Sequence, residues 1–304
     1  MSHSQGQKEK RSAALTSVFA AIGLTTFKIL VGVLTNSLGI LAEAAHSALD
    51  LVAALMTLFA VRVADQPADK EHNFGHGKIE NISALFETLL LLGTSVWIVN
   101  EAAQRLFFKK AEVASSVWSF VVMGASIVID YTRSRILFRA AKKYRSQALE
   151  ADALHFSTDI WSSSVVIVGL IGVAIARSTP GLHWMSEADA IAAMVVAGIV
   201  VYISANLGWR TIQALLDTAP KGVSEKIVKS VARMKGVQDC HAVRIRASGA
   251  SWFVDLHVTM DGNRPLNEAH ALTEKIERKV QEFLPDSDVT VHVEPIEMAE
   301  TRSG

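Results

Sequence analysis

Cysteine is almost absent from this sequence, and Cys240 is its only example. A single thiol excludes an internal disulfide framework and a zinc site made of cysteine alone. Net charge is absent too, because 30 Lys and Arg residues are matched by 30 Asp and Glu residues. Without a basic field, nucleic acid is not expected as a partner. The H-E-x-x-H pattern of zinc proteases is also missing, which argues against a membrane metalloenzyme.

Apolar residues are abundant: they form 50% of the chain, and the mean hydropathy is +0.28. They are concentrated in six segments near the length of about 20 residues with which a helix crosses a bilayer. The first segment lacks the small-residue cleavage site of a signal peptide, so we expect it to be retained as a membrane span. The segments are 13–34, 38–63, 80–100, 116–137, 153–177 and 189–210.

The composition changes after Pro220, where the apolar runs stop. The sequence therefore predicts an α-helical membrane protein followed by a soluble domain, with the lipid bilayer as an obligatory partner. The expected divisions are an N-terminal segment at 1–12, a six-helix transmembrane domain at 13–212, an α/β domain at 213–296 and a flexible tail at 297–304.

Basic residues predict the orientation, because short loops rich in Lys and Arg stay in the cytoplasm. Three precede the first segment, and six are expected in the loop between the fourth and fifth segments. A smaller group after the third segment favours the opposite orientation but is outnumbered. We therefore expect both termini in the cytoplasm. The three groups are Lys8, Lys10 and Arg11; Arg133, Arg135, Arg139, Lys142, Lys143 and Arg145; and Arg105, Lys109 and Lys110.

The soluble region has the pattern helix, strand, strand, helix, strand. In "SWFVDLHVTM" apolar residues alternate with Asp255, His257 and Thr259, and in "VTVHVEP" His292 and Glu294 share the polar face. Two helices covering one face of a small sheet fit this order. The expected fold is a small αββαβ domain of ferredoxin-like type.

The second and fifth apolar segments each contain a histidine and an aspartate four residues apart. Residues at this spacing share one face of a helix, so His46 pairs with Asp50 and His155 with Asp159. Ionisable residues within a span are costly and usually line an ion path. Two such helices facing each other would offer two nitrogens and two oxygens, a complete tetrahedral shell for zinc. The alternative is an internal hydrogen bond within each pair.

Together these features resemble the cation diffusion facilitator family. The likeness rests on the six segments, the paired H-x-x-x-D motifs, the loop "HNFGHGKIEN", the "LLDTAP" that closes the sixth segment, and the compact final domain. The resemblance implies a homodimer that exports divalent metal in exchange for protons. His46 resembles the zinc-preferring branch, and the lack of a long His-rich loop between spans 4 and 5 favours a bacterial plasma (inner) membrane.

The resemblance also implies two further metal sites and one contact. Asp69, His72 and His76 resemble the family's loop site, although a solvated loop is the alternative. Five residues of the final domain match cytoplasmic metal-binding positions, expected as a regulatory site at the dimer interface. Lys78 and Asp217 resemble an ion pair at the dimer contact. The cytoplasmic set is His241, His257, His270, His292 and Glu294.

Two other charges fall within the apolar segments. Lys28 is expected to extend towards the end of its span. Glu87 fits either a proton path or an interhelical hydrogen bond.

The sequence thus predicts a metal/proton antiporter rather than an enzyme, with Zn²⁺ as substrate and regulatory ligand. Mixed imidazole and carboxylate ligands leave Cd²⁺, Co²⁺ and Fe²⁺ as other cargoes. A membrane metal sensor that does not conduct ions is the remaining rival.

Overall fold

The computed structural model describes residues 3–107, 117–178 and 185–296. The chain forms two units, Met1–Ile212 and Gln213–Gly304. The described residues contain six long helices before the second domain. They are α1 (His3–Leu34), α2 (Leu38–Ala64), α3 (Lys78–Phe107), α4 (Val117–Tyr144), α5 (Gln147–Ser178) and α6 (Met185–Leu215). Five predicted apolar segments each fall within one of them, and the fourth, 116–137, overlaps α4 from residue 117 onwards.

Four helical stretches in the described part of the chain are long and apolar enough to cross a membrane. They are Gln5–Leu34, Leu38–Ala64, Lys78–Asn100 and Met194–Leu215. Helix α4 is not among them, and it carries Asp130 and Arg133 near its middle. The described residues therefore form a helical domain with four stretches that could cross a membrane, whereas a crossing by all six helices stays a prediction.

Several boundaries differ from the sequence prediction. Helix α1 begins at His3, so residues 3–12 of the expected N-terminal segment are part of the first helix. Ion pairs of Lys10 connect this first part of α1 to the end of α2 and the start of α3. Its Nζ lies 2.5 Å from Asp65 Oδ1 and 3.2 Å from Glu80 Oε1. The expected tail at 297–304 lies outside the described residues, as do Lys109 and Lys110.

The basic loop expected between the fourth and fifth segments is mostly helix. Helix α4 continues to Tyr144 and α5 begins at Gln147, so only Arg145 of the six basic residues lies in the connection. Arg133 is 3% exposed, with its guanidinium carbon 3.4 Å from the centre of the Phe156 ring. Hydrogen bonds to Ser17 and Asp130 replace the water that a loop residue would have.

Small residues at the helix contacts allow close packing of the bundle. Buried alanines on α1, α2 and α5 form its largest core cluster with Leu137 and Phe156. A Cβ on Gly32 would lie 2.8 Å from Leu41 Cδ2 and 3.2 Å from the Leu41 backbone nitrogen, so a larger residue would displace Leu41 where α1 approaches α2. Helix α5 packs against α2, α3 and α4. This packing brings the two H-x-x-x-D motifs to one interface.

The second unit confirms the predicted order of elements. It contains α7 (Val223–Val231), β1 (Asp239–Ser248), β2 (Ser251–Met260), α8 (Leu266–Gln281) and β3 (Ser287–Pro295). The sheet order is β1-β2-β3, in which β2 pairs antiparallel with β1 and parallel with β3. Val254, Leu256 and Val258 of β2 pack with Ile227 of α7 and Ile276 of α8. The opposite face of β2 carries Asp255 and His257.

Candidate metal centres

The first candidate centre lies between α2 and α5 and contains all four residues of the paired motifs. His155 Nε2 lies 3.1 Å from Asp50 Oδ1 and 3.5 Å from Asp159 Oδ2. His46 Nε2 completes the group, 3.9 Å from Asp50 Oδ1 and 4.0 Å from Asp159 Oδ1. Asp50 and His155 are 8% and 4% exposed. We call these four residues the quartet.

The quartet has the composition of a tetrahedral metal site, and His46, Asp50 and Asp159 each place one ligand atom within 4.8 Å of the others. Ligand atoms about 2.0 Å from a zinc ion stand about 3.3 Å apart along the edges of a tetrahedron. The separations of 3.1 to 4.0 Å between its nitrogens and oxygens bracket that value. An internal hydrogen bond within each motif does not describe the arrangement, because Asp50 bonds to His155 of the other helix.

Lys28 does not extend to the end of its helix as expected. It is 3% exposed, and its Nζ donates to Ser47 Oγ at 2.8 Å. Glu43 Oε2, at 3.4 Å, balances its charge. Lys28 is therefore a buried, hydrogen-bonded residue between α1 and α2. Its ammonium group is stabilised by these two partners and not by solvent at the end of the helix.

The structure adds buried polar residues that the sequence had not selected. Ser17 Oγ donates to Asp152 Oδ2 at 3.2 Å and accepts from Arg133 Nη2 at 3.1 Å. Arg133 also contacts Asp130, with 3.3 Å between Nη1 and Oδ1. The signal for Asp152 was present, because it precedes His155 by three residues. It was missed because the fifth apolar segment was predicted to begin at residue 153, whereas α5 begins at Gln147.

The second candidate centre is the loop between α2 and α3. Asp69 Oδ2 lies 3.4 Å from His76 Nε2, and Asp69 Oδ1 lies 3.3 Å from His72 Nδ1. Backbone N–H groups of His72 and Glu71 donate to Asp69 Oδ1, and these bonds lower the pKa of its carboxyl group. Gly75 has a φ of 73°, which lets the chain turn here without strain. The loop thus brings together all three residues of the expected loop site.

The third candidate centre lies on the open face of the sheet in the second unit. His241, His257 and His292 occupy one rung across the three strands. Glu294 Oε1 accepts from His257 Nδ1 at 2.8 Å, and its Oε2 lies 3.2 Å from His241 Nε2. His292 Nε2 is 3.9 Å from Glu294 Oε1. The hydrogen bond from His257 and the nearby imidazoles lower the pKa of Glu294.

A bulge in β1 gives His241 its position. The register with β2 shifts between His241 and Arg244, and Ala242 takes a φ of 51°. This conformation is strained for a residue with a side chain, which is typical of functional sites. Asp239, which the sequence had not selected, accepts a hydrogen bond from His241 Nδ1 at 2.9 Å. It thereby leaves His241 Nε2 to face Glu294, as carboxylates behind metal-binding histidines commonly do.

His270 is not part of this cluster within one copy of the chain. It lies on α8, where its Nε2 is 3.6 Å from Glu274 Oε1 and its side chain is 72% exposed. Leu272 and Ile276 of α8 pack on the face of the sheet opposite His257. Successive strand residues point to opposite faces, so His270 and the histidine rung are on different layers.

Cys240 points into the core of the second unit. It is 2% exposed, and burial raises the pKa of its thiol to about 11. It therefore acts as a small packing residue rather than as a thiolate ligand.

Lys78 is the first residue of α3, and Asp217 lies just beyond α6 with a φ of 58°. The two residues belong to different units, and their pairing stays a prediction.

Comparisons with known proteins cover nearly the whole chain. Residues 14–216 match the family described as cation efflux transmembrane domain, and residues 219–296 match the cation efflux protein, cytoplasmic domain. The cation-efflux pump FieF of Cronobacter sakazakii is 36% identical over 97% of this chain and 95% of its own length. The FieF pump of Yersinia enterocolitica is 34% identical over 94% and 92%.

Among solved structures, the metal-bound C-terminal domain of the CzcD transporter from Thermotoga maritima is 34% identical. The match covers 25% of this chain and 92% of that one, with a TM-score of 0.23.

Proposed function

Since this chain belongs to the cation efflux family, whose transmembrane and cytoplasmic domains it contains, we propose that it exports divalent metal in exchange for protons. The chain is a cation-efflux transporter of the membrane. The proposal concerns its cargo, its coupling ion and the residues that bind them. It treats all six long helices as crossing the bilayer, with both termini in the cytoplasm.

The convergence of the quartet carries this proposal. Two imidazoles and two carboxylates from separate helices meet in a partly buried position, with Asp50 and His155 3.1 Å apart. Charged groups in such a place are expensive unless an ion or a proton compensates them. A site that alternately opens to each side of the membrane would release this ion on the opposite side.

The ligand types favour Zn²⁺ as cargo. Two nitrogens and two oxygens suit a borderline ion with tetrahedral geometry, whereas harder ions prefer oxygen alone. Cd²⁺, Co²⁺ and Fe²⁺ accept similar ligands and are the alternative cargoes.

Proton coupling follows from the same ligands. An imidazole binds metal only when it is neutral at the coordinating nitrogen, so protons and metal compete for His46 and His155. Protons that enter from outside would expel the metal there, and metal from the cytoplasm would displace the protons on the other side. The site therefore contains the chemistry of exchange without a further cofactor.

We propose that the second unit regulates transport as part of a homodimer in a bacterial inner membrane. The cluster of His241, His257, His292 and Glu294 is on an open sheet face, where a second copy can approach. His270 would join this cluster only from that second copy, because it lies on the other layer of its own domain. The proposal gives the loop cluster of Asp69, His72 and His76 a role in metal capture. It gives Lys78 and Asp217 a role at the dimer contact.

Zinc flux in sealed vesicles tests the proposal. The purified chain is reconstituted with a zinc indicator inside the vesicles and a pH gradient across the membrane. Zinc uptake into these vesicles by the molecules whose cytoplasmic side faces outwards, accompanied by proton release from the lumen, is the expected result. Zinc binding without flux would indicate a sensor instead, and flux that is independent of the pH gradient would remove proton exchange from the mechanism.

A further inference from the structure

Arg133 of α4 is a buried cation that the proposed transport mechanism does not use. It is 3% exposed, and its guanidinium group contacts residues of three helices. Nη2 donates to Ser17 Oγ of α1 at 3.1 Å, and Nη1 donates to Asp130 Oδ1 of α4 at 3.3 Å. The guanidinium carbon lies 3.4 Å from the centre of the Phe156 ring of α5. Because a guanidinium group is planar, it can stack on an aromatic ring and hydrogen-bond in its own plane at the same time.

Phe156 connects this cation to the quartet. It is 0% exposed, and its ring meets the His155 imidazole edge to face, with 5.4 Å between the ring centres and 85° between the ring planes. The Arg133 guanidinium covers one face of the Phe156 ring. The Phe156 ring therefore has little freedom to turn, and it limits the rotation of the imidazole beside it.

His155 lacks the hydrogen bond that usually orients a metal-binding histidine. Such a histidine normally donates from its second ring nitrogen to a carboxylate or a carbonyl oxygen. His241 shows this arrangement, because Asp239 accepts from its Nδ1 at 2.9 Å. His155 Nε2 lies 3.1 Å from Asp50 Oδ1, but its Nδ1 is buried and has no hydrogen-bond partner among the described residues. The orientation of this imidazole therefore depends on packing on the side away from Asp50.

The backbone of α5 is also held close to His155. Ser134 Oγ of α4 donates to the carbonyl oxygen of Ala153 at 2.9 Å, and Ser17 Oγ of α1 donates to Asp152 Oδ2 at 3.2 Å. Ala153 and Asp152 precede His155 by two and three positions, which is within one turn of the helix. Helices α1 and α4 thus hold the turn of α5 from which this imidazole projects.

We propose that Arg133 is a positioning residue for metal binding, which holds the His155 imidazole in its coordinating orientation through the Phe156 ring. This inference rests on the proposed export function, because it takes the quartet as the site that binds the cargo. Arg133 is not itself a ligand. It raises the affinity of the quartet for metal, because an imidazole that is already oriented loses less rotational freedom when an ion binds.

The zinc affinity of the purified full chain tests this role. The parent for the experiment carries His76→Ala and His257→Ala, which weaken the loop and cytoplasmic clusters and leave the quartet intact. Arg133→Lys keeps a positive charge beside Asp130 but loses the planar group above Phe156. Phe156→Leu keeps an apolar side chain but loses the ring. In equilibrium dialysis each should weaken zinc binding about tenfold or more, as is usual for residues that orient a metal ligand.

The two substitutions should not act independently. Because Arg133 orients the imidazole through the Phe156 ring, the double variant should bind zinc no more weakly than the weaker of the two single variants. Independent effects would instead multiply to about 100-fold. The matched control is an exposed pair on the same helix, in which Arg135 lies 5.5 Å from the centre of the Tyr131 ring. Arg135→Lys should leave the zinc affinity unchanged.

Cobalt absorption gives a measurement that a loss of stability alone would not alter. Co²⁺ accepts the same nitrogen and oxygen ligands as Zn²⁺, and its visible spectrum depends on the coordination geometry. The spectrum of Co²⁺ bound to Arg133→Lys should differ in shape from that of the parent, whereas Arg135→Lys should keep the parent spectrum. A variant that is merely less stable would show the parent spectrum at lower intensity.

Unchanged zinc affinity in Arg133→Lys or in Phe156→Leu would overturn the inference, as would multiplied losses in the double variant or an equal loss in Arg135→Lys. Gel filtration and thermal unfolding establish that each variant is folded. Where Arg133→Lys does not fold, Arg133→Met with Asp130→Leu replaces it, because this pair leaves no buried charge without a partner. If the parent binds no zinc, the export proposal fails together with this inference. If the parent binds zinc and the variants bind it equally well, only this inference fails.

Discussion

Asp50 Oδ1 lies 3.1 Å from His155 Nε2, although the two residues are 105 positions apart in the chain. This contact joins the two H-x-x-x-D motifs across the interface of α2 and α5. Asp50 is thus closer to His155 of the other helix than to His46 of its own, at 3.1 Å against 3.9 Å. Asp159 lies 3.5 Å from His155 of its own helix and 4.0 Å from His46 of the other. Movement of α5 against α2 would change the ligand shell directly.

Loss of one quartet carboxylate should abolish transport. We expect Asp50→Ala or Asp159→Ala to lower zinc flux more than about 100-fold. Loss of a residue that only orients a metal ligand lowers metal affinity or activity by about 10- to 100-fold, and loss of the ligand itself should lower it further. Vesicle flux at equal protein incorporation is the measurement. Glu150→Ala removes a partly exposed carboxylate of α5 outside the quartet and should retain flux. Undiminished uptake by either aspartate variant would contradict the transport assignment.

Exchange of one imidazole for a carboxylate should change selectivity. His46→Asp replaces a borderline nitrogen with a hard oxygen, so the preference should shift from zinc towards harder ions such as Mn²⁺. Competition between zinc, cadmium, iron and manganese in the same vesicles measures this ranking. An identical ranking for the variant and the unmodified chain would argue against His46 as a ligand.

Arg133 should be a major contributor to the stability of the bundle. Arg133→Ala removes one partner of a buried ion pair and the group above Phe156, which should cost about 3–5 kcal/mol. The double substitution Arg133→Met with Asp130→Leu should recover much of this loss, because neither charge is then left alone. Denaturant unfolding in detergent gives the values. Arg135→Ala, an exposed residue of the same helix, is the control and should change stability by less than about 1 kcal/mol.

Zinc should draw the two cytoplasmic domains of a homodimer together. A metal bound at His241, His257 and Glu294 can gain further ligands from the other copy when the two domains are close together. It favours this close arrangement over the separated one by the difference in its binding free energy between the two. We expect a coupling of about 1–3 kcal/mol, so loss of the cluster weakens flux without eliminating it. Distances between spin labels on the second units, recorded with and without zinc, measure the movement.

His257→Ala is the control for this movement, because it removes the central histidine of the rung while leaving the core face of β2 intact. Its label distances should not respond to zinc. Unchanged distances in the unmodified protein, with zinc demonstrably bound, would assign the domain a passive role as a dimer clamp.

Local periodicity was enough to predict much of this protein. The four-residue spacing places His46 with Asp50 and His155 with Asp159 on single helix faces, wherever those helices lie. Alternation along β2 likewise separates His257 from the buried Val254, Leu256 and Val258. Such patterns follow from the geometry of one helix or one strand, so the sequence contains them directly.

Other features depend on which elements pack together, and only the tertiary structure decided them. The sequence predicted Arg133 to lie in a loop, whereas α4 continues past it and buries it against Ser17 and Asp130. Asp239 became relevant because a bulge turns His241 towards it, and His270 was separated from the rung because α8 covers the other face of the sheet. These outcomes depend on contacts between residues distant in sequence, and the energy of burying a charge is set by the partners found there. The local sequence pattern predicts the face of a helix or strand on which a residue lies. It does not predict which side chains from other elements pack against that face.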